Sequence, residues 1–403
     1  MEKSFLYAGI DVSKLKHDVA IVNEQKKLVH KMFVIDDTRD GYQMLHNKLS
    51  RLKQKYQITQ FSIGMEATSD YWKNIYYYLK QQSTDYQLTV INPIQTRAFA
   101  RAILRRAKTD AVNAKDIALF MAEKKLAPSI DRPSVFENIK DVDTQMYHLK
   151  KQQTMTINKL RIELGKVAPE IEREFCSKSA RRLFALLKNF PTAEAISLAS
   201  VEQLRQIRYG KKQWPLPLNF VVKMKRLAHD SIAHKTGNGS GVVIQSLVRR
   251  LIGLRQEIEY LNHQLVLLYK EISDTDSVLT TINGIGIQTA IVLEAYIGDV
   301  NRFPTAKQIV AYFGMNPTVC FSGSSIRRSS RLEKKGDGIV RHKLFMATIN
   351  IVRMKKGPIY KFYQRLVDSG KPKLVAIGAA MRKLLTIIYQ MLKNNEKFDP
   401  DKV

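Results

Sequence analysis

The chain has 403 residues, and 66 Lys and Arg against 37 Asp and Glu leave a formal charge of +29. That length predicts two or three domains, and a hydrophobic content of 44% excludes a disordered chain. Cys176 and Cys320 are the two cysteines, which excludes a disulfide scaffold and fits a reducing cytoplasm. The opening MEKSFLYAGIDVSK lacks the apolar core of a signal peptide. No apolar run of membrane-spanning length is read from the sequence, so no membrane partner is expected. So large a positive excess points instead to a polyanion, nucleic acid above all.

Residues 5–12, FLYAGIDV, form a short apolar run that ends in an acid. HDVAIVN (17–23) and LVHKMFVID (28–36) alternate around the polar NEQKK, which predicts a three-stranded meander. Residues 39–53 read as a helix with Met44, Leu45, Leu49 and Leu52 on one side. A strand at 61–67, a helix near 70–81, a strand at 88–92 and a helix that breaks and restarts around 108–122 follow. The order β-β-β-α-β-α-β-α predicts a mixed sheet covered by helices. Residues from about 126 to 275 carry no strand signal. Ile244, Leu247, Leu251, Leu254, Ile258, Leu261, Leu265, Leu268 and Ile272 repeat at spacings of three and four, a heptad seam. Val142, Met146, Leu149, Leu160 and Leu164 trace a second seam, and the two helices could pair with each other or with another subunit. The last region opens with TTINGIGIQTAIVLEAYIG and closes on a long apolar helix.

Asp11 and Glu66 end two apolar runs. A carboxylate there is costly unless it is solvated, paired or bound to metal, and strand ends of an open sheet are where ligands collect. Asp110, Asn113 and Asp116 follow one another at intervals of three on the restarting helix. Strand-end acids facing acids on a helix could hold magnesium, which prefers oxygen ligands, and paired ions stabilise both attacking and leaving oxygens of a phosphodiester. The bland reading is that each acid caps the next element. A strand ending in Asp also opens actin-like ATPases and sugar kinases, but the second phosphate loop of those folds is missing, as is any GxxxxGK[ST]. No CxxC or HxxxH suggests zinc.

YAGIDVSK, IGMEATSDYW, VINPIQTRAF and KTDAVNAKDIA, in that order, resemble the amino-terminal part of IS110-family transposases. INGIGIQTAIVLEAYIGDVNRFPTAKQIVAYFGMNP, then FSGSS, a basic stretch and a long helix, resemble the carboxy-terminal part. The resemblance implies an α/β RuvC-like (RNase H-type) domain over 1–125, an α-helical coiled-coil linker over 126–275 and a mainly α Tnp domain over 276–403. It implies a DEDD tetrad of which Asp11, Glu66 and Asp110 are the first three acids, with Asn113 where the fourth acid normally stands. An amide oxygen can ligate magnesium without supplying charge, and Asp116, one turn on, is the other candidate. The resemblance further implies DNA recombination guided by a noncoding bridge RNA. It makes Ser322 the nucleophile, with Ser324 and Ser325 as stand-ins, and implies a composite site that joins Ser322 to the metal-bound acids.

Residues 321–343 hold five serines and seven Lys or Arg, among them Arg327, Arg328 and Arg331, which could touch phosphates. Arg97, Arg101, Arg105, Arg106 and Lys108 form a second basic run just before Asp110. Gly284 and Gly286 form either a helix-hairpin-helix grip on a phosphate or a plain tight turn. Tyr71, Trp72, Tyr76, Tyr77 and Tyr78 are candidates for base stacking, although most such aromatics are core. The expected activity is a magnesium-dependent serine transposase or recombinase that works on donor and target DNA with an RNA guide, as a dimer or higher assembly. The competing readings are a RuvC-type structure-specific endonuclease that uses water, and a nucleic-acid-binding scaffold with a decayed site.

Overall fold

A computed structural model describes residues 4–67, 70–102, 110–129, 134–175, 180–233, 238–317, 321–322, 326–327, 332–333 and 336–402. The chain divides into two compact units, Met1–Asp131 and Arg132–Val403.

In the first unit, β1 (Phe5–Val12), β2 (Lys16–Val22) and β3 (Phe33–Asp36) form the meander. α1 (Arg39–Tyr56), β4 (Gln60–Glu66), α2 (Trp72–Gln82), β5 (Tyr86–Ile91), α3 (Pro93–Ala102) and α4 (Asp110–Lys124) follow. The sheet order is β3-β2-β1-β4-β5, with β1 antiparallel to β2 and parallel to β4. This is the RuvC-like, RNase H-type arrangement. Helices cover both faces, which is why β1 is buried along nearly its whole length. Leu6, Ala8 and Ile10 pack with Leu45 and Leu49 of α1 and Ile75 of α2. On the other face Tyr7, Ala20 and Val22 pack with Ala114, Ile117 and Met121 of α4.

Two details differ from the sequence reading. Met44 is 39% exposed, and Tyr42, at 6%, takes its place on the buried side of α1. β3 covers only Phe33–Asp36, because residues 28–32 leave the ladder after a single bridge from Leu28 to Val22.

Gly9 and Gly64 are partners on adjacent strands beneath α4. A Cβ on Gly9 would stand 2.1 Å from the Ala114 carbonyl oxygen and 2.3 Å from the Ala118 nitrogen, and one on Gly64 would stand 2.6 Å from the Met121 side chain. The missing side chains let α4 lie directly on the sheet, which sets the height of every residue the helix presents at the strand ends. Gly9→Ala is therefore expected to cost about 3 kcal/mol of overpacking, read as an earlier urea midpoint. Gly253→Ala, on an exposed helical glycine with nothing within 4 Å, is the control and should stabilise by roughly 1 kcal/mol.

The second unit is built on two long helices packed side by side, α5 (Ser134–Val167) and, further along the chain, α11 (Asn238–Lys270). Between them run α6 (Pro169–Arg173), α7 (Ala180–Asn189), α8 (Ala193–Leu198), α9 (Val201–Gln206), a hairpin of β6 (Arg208–Tyr209) and β7 (Trp214–Pro215), and α10 (Leu218–His229). After α11 come α12 (Ile287–Ile297), α13 (Ala306–Tyr312), β8 (Phe321–Ser322), β9 (Ile326–Arg327), α14 (Gly338–Arg353), α15 (Gly357–Asp368) and α16 (Lys373–Asn394).

The helix pair bridges two cores. Leu160, Leu164, Ile244 and Leu251 join the helices α6–α10, while Ile139, Met146, Leu265 and Tyr269 join α12–α16. The seam of α11 is buried at Ile244, Leu247, Leu251, Leu254 and Leu265. Ile272 leaves it, because α11 ends at Lys270 and Ile272 is 40% exposed. By length and composition α16 could cross a membrane, yet Ala380, Leu384, Leu385 and Ile388 are fully buried in the core.

Candidate active site

The acids of the first unit are placed by strand alternation. Since Leu6, Ala8 and Ile10 face α1 and α2, Asp11 faces α4. Phe61, Ile63 and Met65 likewise leave Glu66 on the α4 side. The parallel ladder pairs Ile10 with Met65, so Asp11 and Glu66 end adjacent strands one residue beyond that pair.

From above, Asn113 of α4 donates its Nδ2 hydrogen to Asp11 Oδ2 at 3.0 Å. Asn113 lies about 60° round the helix from Asp110, and Asp116 about 120°. α4 is described from Asp110 onward, and the Asp110 side chain is outside the described residues. Asp116 is 5% exposed. Among the described residues, no three His, Cys, Asp or Glu side chains stand close enough to hold a metal ion. The donor set itself, carboxylates with an amide oxygen in place of one acid, suits a hard cation such as magnesium.

Two residues that the motifs did not single out belong here. Asp18 pairs directly with Asp11 across the β1–β2 ladder, and paired residues share a face. The alternation of HDVAIVN already placed Asp18 opposite Val19 and Ile21, so folding the meander on paper could have found it. Thr96, 4% exposed on α3, donates its hydroxyl to Glu66 and lies 3.1 Å from the Pro93 carbonyl. No local pattern marks this contact, since it joins residues 30 apart.

Asn113→Asp tests the arrangement without catalysis. It would remove the N–H that Asp11 accepts and set a second carboxylate beside the first. Like charges disfavour double ionisation, so the variant is expected to lose about 1–2 kcal/mol in chelator at neutral pH, and magnesium should restore it. Thermal unfolding with and without the ion is the measurement.

Of the basic run, Arg97 and Arg101 are exposed on α3, and Arg105, Arg106 and Lys108 lie outside the described residues. Tyr76 is buried with Trp72 set edge-on against it, whereas Tyr71 and Tyr77 remain 37% and 44% exposed.

In the second unit Ser322 lies on β8, paired with Ile326 of β9, while Arg327 pairs with Phe321. The serine therefore stands on a short antiparallel ladder, of which only the backbone is described. Ser324, Ser325, Arg328 and Arg331 lie outside the described residues. Gly284 takes φ 102°, and a Cβ there would meet Ile351 of α14 at 2.7 Å. Packing thus accounts for the glycine at 284, whereas a Cβ on Gly286 would meet nothing within 4 Å. Only a four-residue 3-10 turn precedes Gly284, Val278–Thr281, and Gly286 caps α12.

Residues 8–169 match the DEDD transposases of IS110, described as "Transposase", and residues 276–364 match the "Transposase IS116/IS110/IS902 family". The pilin gene-inverting protein of Moraxella lacunata is 25% identical over 394 residues, covering 98% of this chain and 97% of that protein. An uncharacterised 43.6 kDa protein of insertion element IS110 from Streptomyces coelicolor is 24% identical over 258 residues, 62% of each chain. Among solved structures, T. thermophilus RuvC in complex with a Holliday junction substrate matches 31% of this chain and 99% of its own, at 16% identity and a TM-score of 0.24.

Proposed function

The chain belongs to the IS110 family of transposases, and on that premise we propose that it cuts and rejoins DNA through a phosphoserine at Ser322, with magnesium and a noncoding bridge RNA as guide. The observation that carries the reading is the convergence at the strand ends of the RuvC-like sheet. There Asp11 and Glu66 share a face and Asn113 of α4 meets Asp11.

Asp11, Glu66 and Asp110 would hold magnesium through carboxylate oxygens, with Asn113 or Asp116 completing the set. The ion would supply Lewis-acid stabilisation of the phosphodiester oxygens. Thr96 fixes the Glu66 carboxylate, and Gly9 fixes the height of Asn113, so both act as positioning residues. Ser322 Oγ would attack the scissile phosphorus and pass its proton to the departing sugar hydroxyl. The P–O bond broken is replaced by a P–O bond to serine, so a hydroxyl from another strand can reverse the step and rejoin. A water nucleophile leaves no such bond. That a relative covering nearly the whole chain is named for inverting a gene supports rejoining over plain hydrolysis. Arg97, Arg101 and Arg327 would contact phosphates.

The test is to incubate the full chain with its co-purified RNA and a DNA carrying the element's ends, then stop in denaturant. A covalent protein–DNA adduct should form with magnesium and vanish with chelator. Cleavage that leaves no adduct at any time would favour the water-using endonuclease, and magnesium-independent inertness the scaffold.

A further inference from the structure

No family match covers residues 170–275, yet α7, the β6–β7 hairpin and α11 enclose an open groove of about 450 Å³ there. Phe184 lines it, with the Arg255 guanidinium 4.5 Å from the ring centre. Arg181, Lys188 and Arg208 line the groove as well. Glu259, the acid of this lining, is taken by Lys211 from the hairpin tip. Among the described residues Arg181, Lys188, Arg208 and Arg255 form no ion pair with a carboxylate. Burial, and then the charge of Arg181, disfavour the charged form of Arg255, but a guanidinium does not give up its proton in a protein. The fold thus assembles these four cations against their mutual repulsion, while the lining carboxylate, Glu259, is paired with Lys211.

The hairpin adds an aromatic face. Gly210 and Gln213 take positive φ and turn the chain, so Tyr209 and Trp214 become cross-strand partners. Such partners project from the same face of a ribbon. Tyr209 lines the groove with the Arg182 guanidinium 5.7 Å over its ring, and Trp214 is 57% exposed. An indole left in water on the hairpin whose Tyr209 lines this row of cations matches a ligand with negative charge along its backbone and flat faces beside it. An unpaired strand offers both, whereas a duplex hides its base faces. An acidic peptide offers charge alone.

We propose that this groove binds an unpaired nucleic-acid strand, its phosphates against Arg181, Lys188, Arg208 and Arg255 and a base stacked on Trp214. The site is separate from the serine chemistry and is read without cleavage, so it stands or falls apart from the proposed reaction.

Trp72→Phe in the full chain leaves Trp214 as the only tryptophan, so its fluorescence reports the hairpin that flanks this groove. The probes are a uridine dodecamer, its deoxythymidine counterpart, a duplex of equal length and a polyglutamate of equal charge. A single strand should quench the emission, and the tighter of the two strands names the source. Arg181→Gln with Arg255→Gln should weaken that binding at least tenfold near 0.1 M salt. It should also lower the slope of log affinity against log salt by about 1.4, for two lost phosphate contacts. Should Trp72→Phe fail to fold, Trp214→Ala in the natural sequence should lose at least about fivefold in single-strand affinity, followed by fluorescence polarisation of labelled strands. Quenching by neither strand, equal quenching by the duplex or the polyglutamate, or an arginine pair whose loss changes nothing would each overturn the proposal.

Discussion

Asp11→Asn is expected to slow DNA strand cleavage by at least about a hundredfold with almost no change in stability. The two halves of that expectation come from the same contact. Asp11 accepts one hydrogen from Asn113 at 3.0 Å, and an asparagine at position 11 keeps an oxygen able to accept it. The contact with Asn113 therefore loses only its charge-assisted part, about 1 kcal/mol. Cleavage loses a charged cation ligand at the strand end. Glu66 is held by Thr96, and Asn113 has no charge to offer. Single-turnover cleavage alongside thermal unfolding checks both halves. A large drop in melting temperature would mean that Asp11 is structural, as a simple cap would be.

Ser322→Ala is expected to remove the covalent adduct altogether while leaving DNA binding within about twofold. β8 pairs through its backbone, so losing one hydroxyl does not disturb the ladder. Without its Oγ, position 322 cannot form the phosphoester, and an adduct that persisted would move the nucleophile to Ser324 or Ser325. This variant separates the two enzymatic readings: a water-using endonuclease would fall with Asp11→Asn and survive Ser322→Ala. Gel resolution of products after denaturation, with binding measured in parallel, decides between them.

Much of the first unit was legible because its signals are local. Apolar runs ending in acid, period-two alternation and a polar turn specify the meander, and parallel order follows from the intervening helices. Met44 was misplaced because a one-residue shift round a helix keeps the apolar count and changes only which side is buried; Tyr42 supplied the area instead. The acids at 11 and 66 could be read because a carboxylate at the end of a buried strand is costly and therefore conspicuous. Thr96 could not, since a hydroxyl is inexpensive almost anywhere and its partner is distant in sequence. Asp18 was hidden by register: its neighbour is known only once β1 and β2 are paired residue for residue. Gly9 looked unremarkable in GIDVS, and its purpose emerges only when a helix backbone is found resting on it. The heptads of 244–268 did announce a long helix, but their period could not say whether its companion was α5 or another subunit. The structure pairs α11 with α5 within the chain.

The groove between α7 and α11 was equally invisible in advance. Its cations are spread over more than 70 residues of sequence, from Arg181 to Arg255, and each alone looks like a solvated surface charge. Only their assembly around Phe184 and Tyr209, with the lining carboxylate Glu259 already paired to Lys211, sets them apart.

The central claim is that a serine hydroxyl of the second unit becomes esterified to DNA when the acids of the first are loaded with magnesium. The most direct measurement is to trap the adduct, digest DNA and protein, and locate the nucleotide-bearing peptide by mass spectrometry. The account predicts one modified residue, Ser322, in magnesium and none in chelator or in the Asp11→Asn protein. A modification on any other side chain, or one that forms equally without the ion, would contradict it.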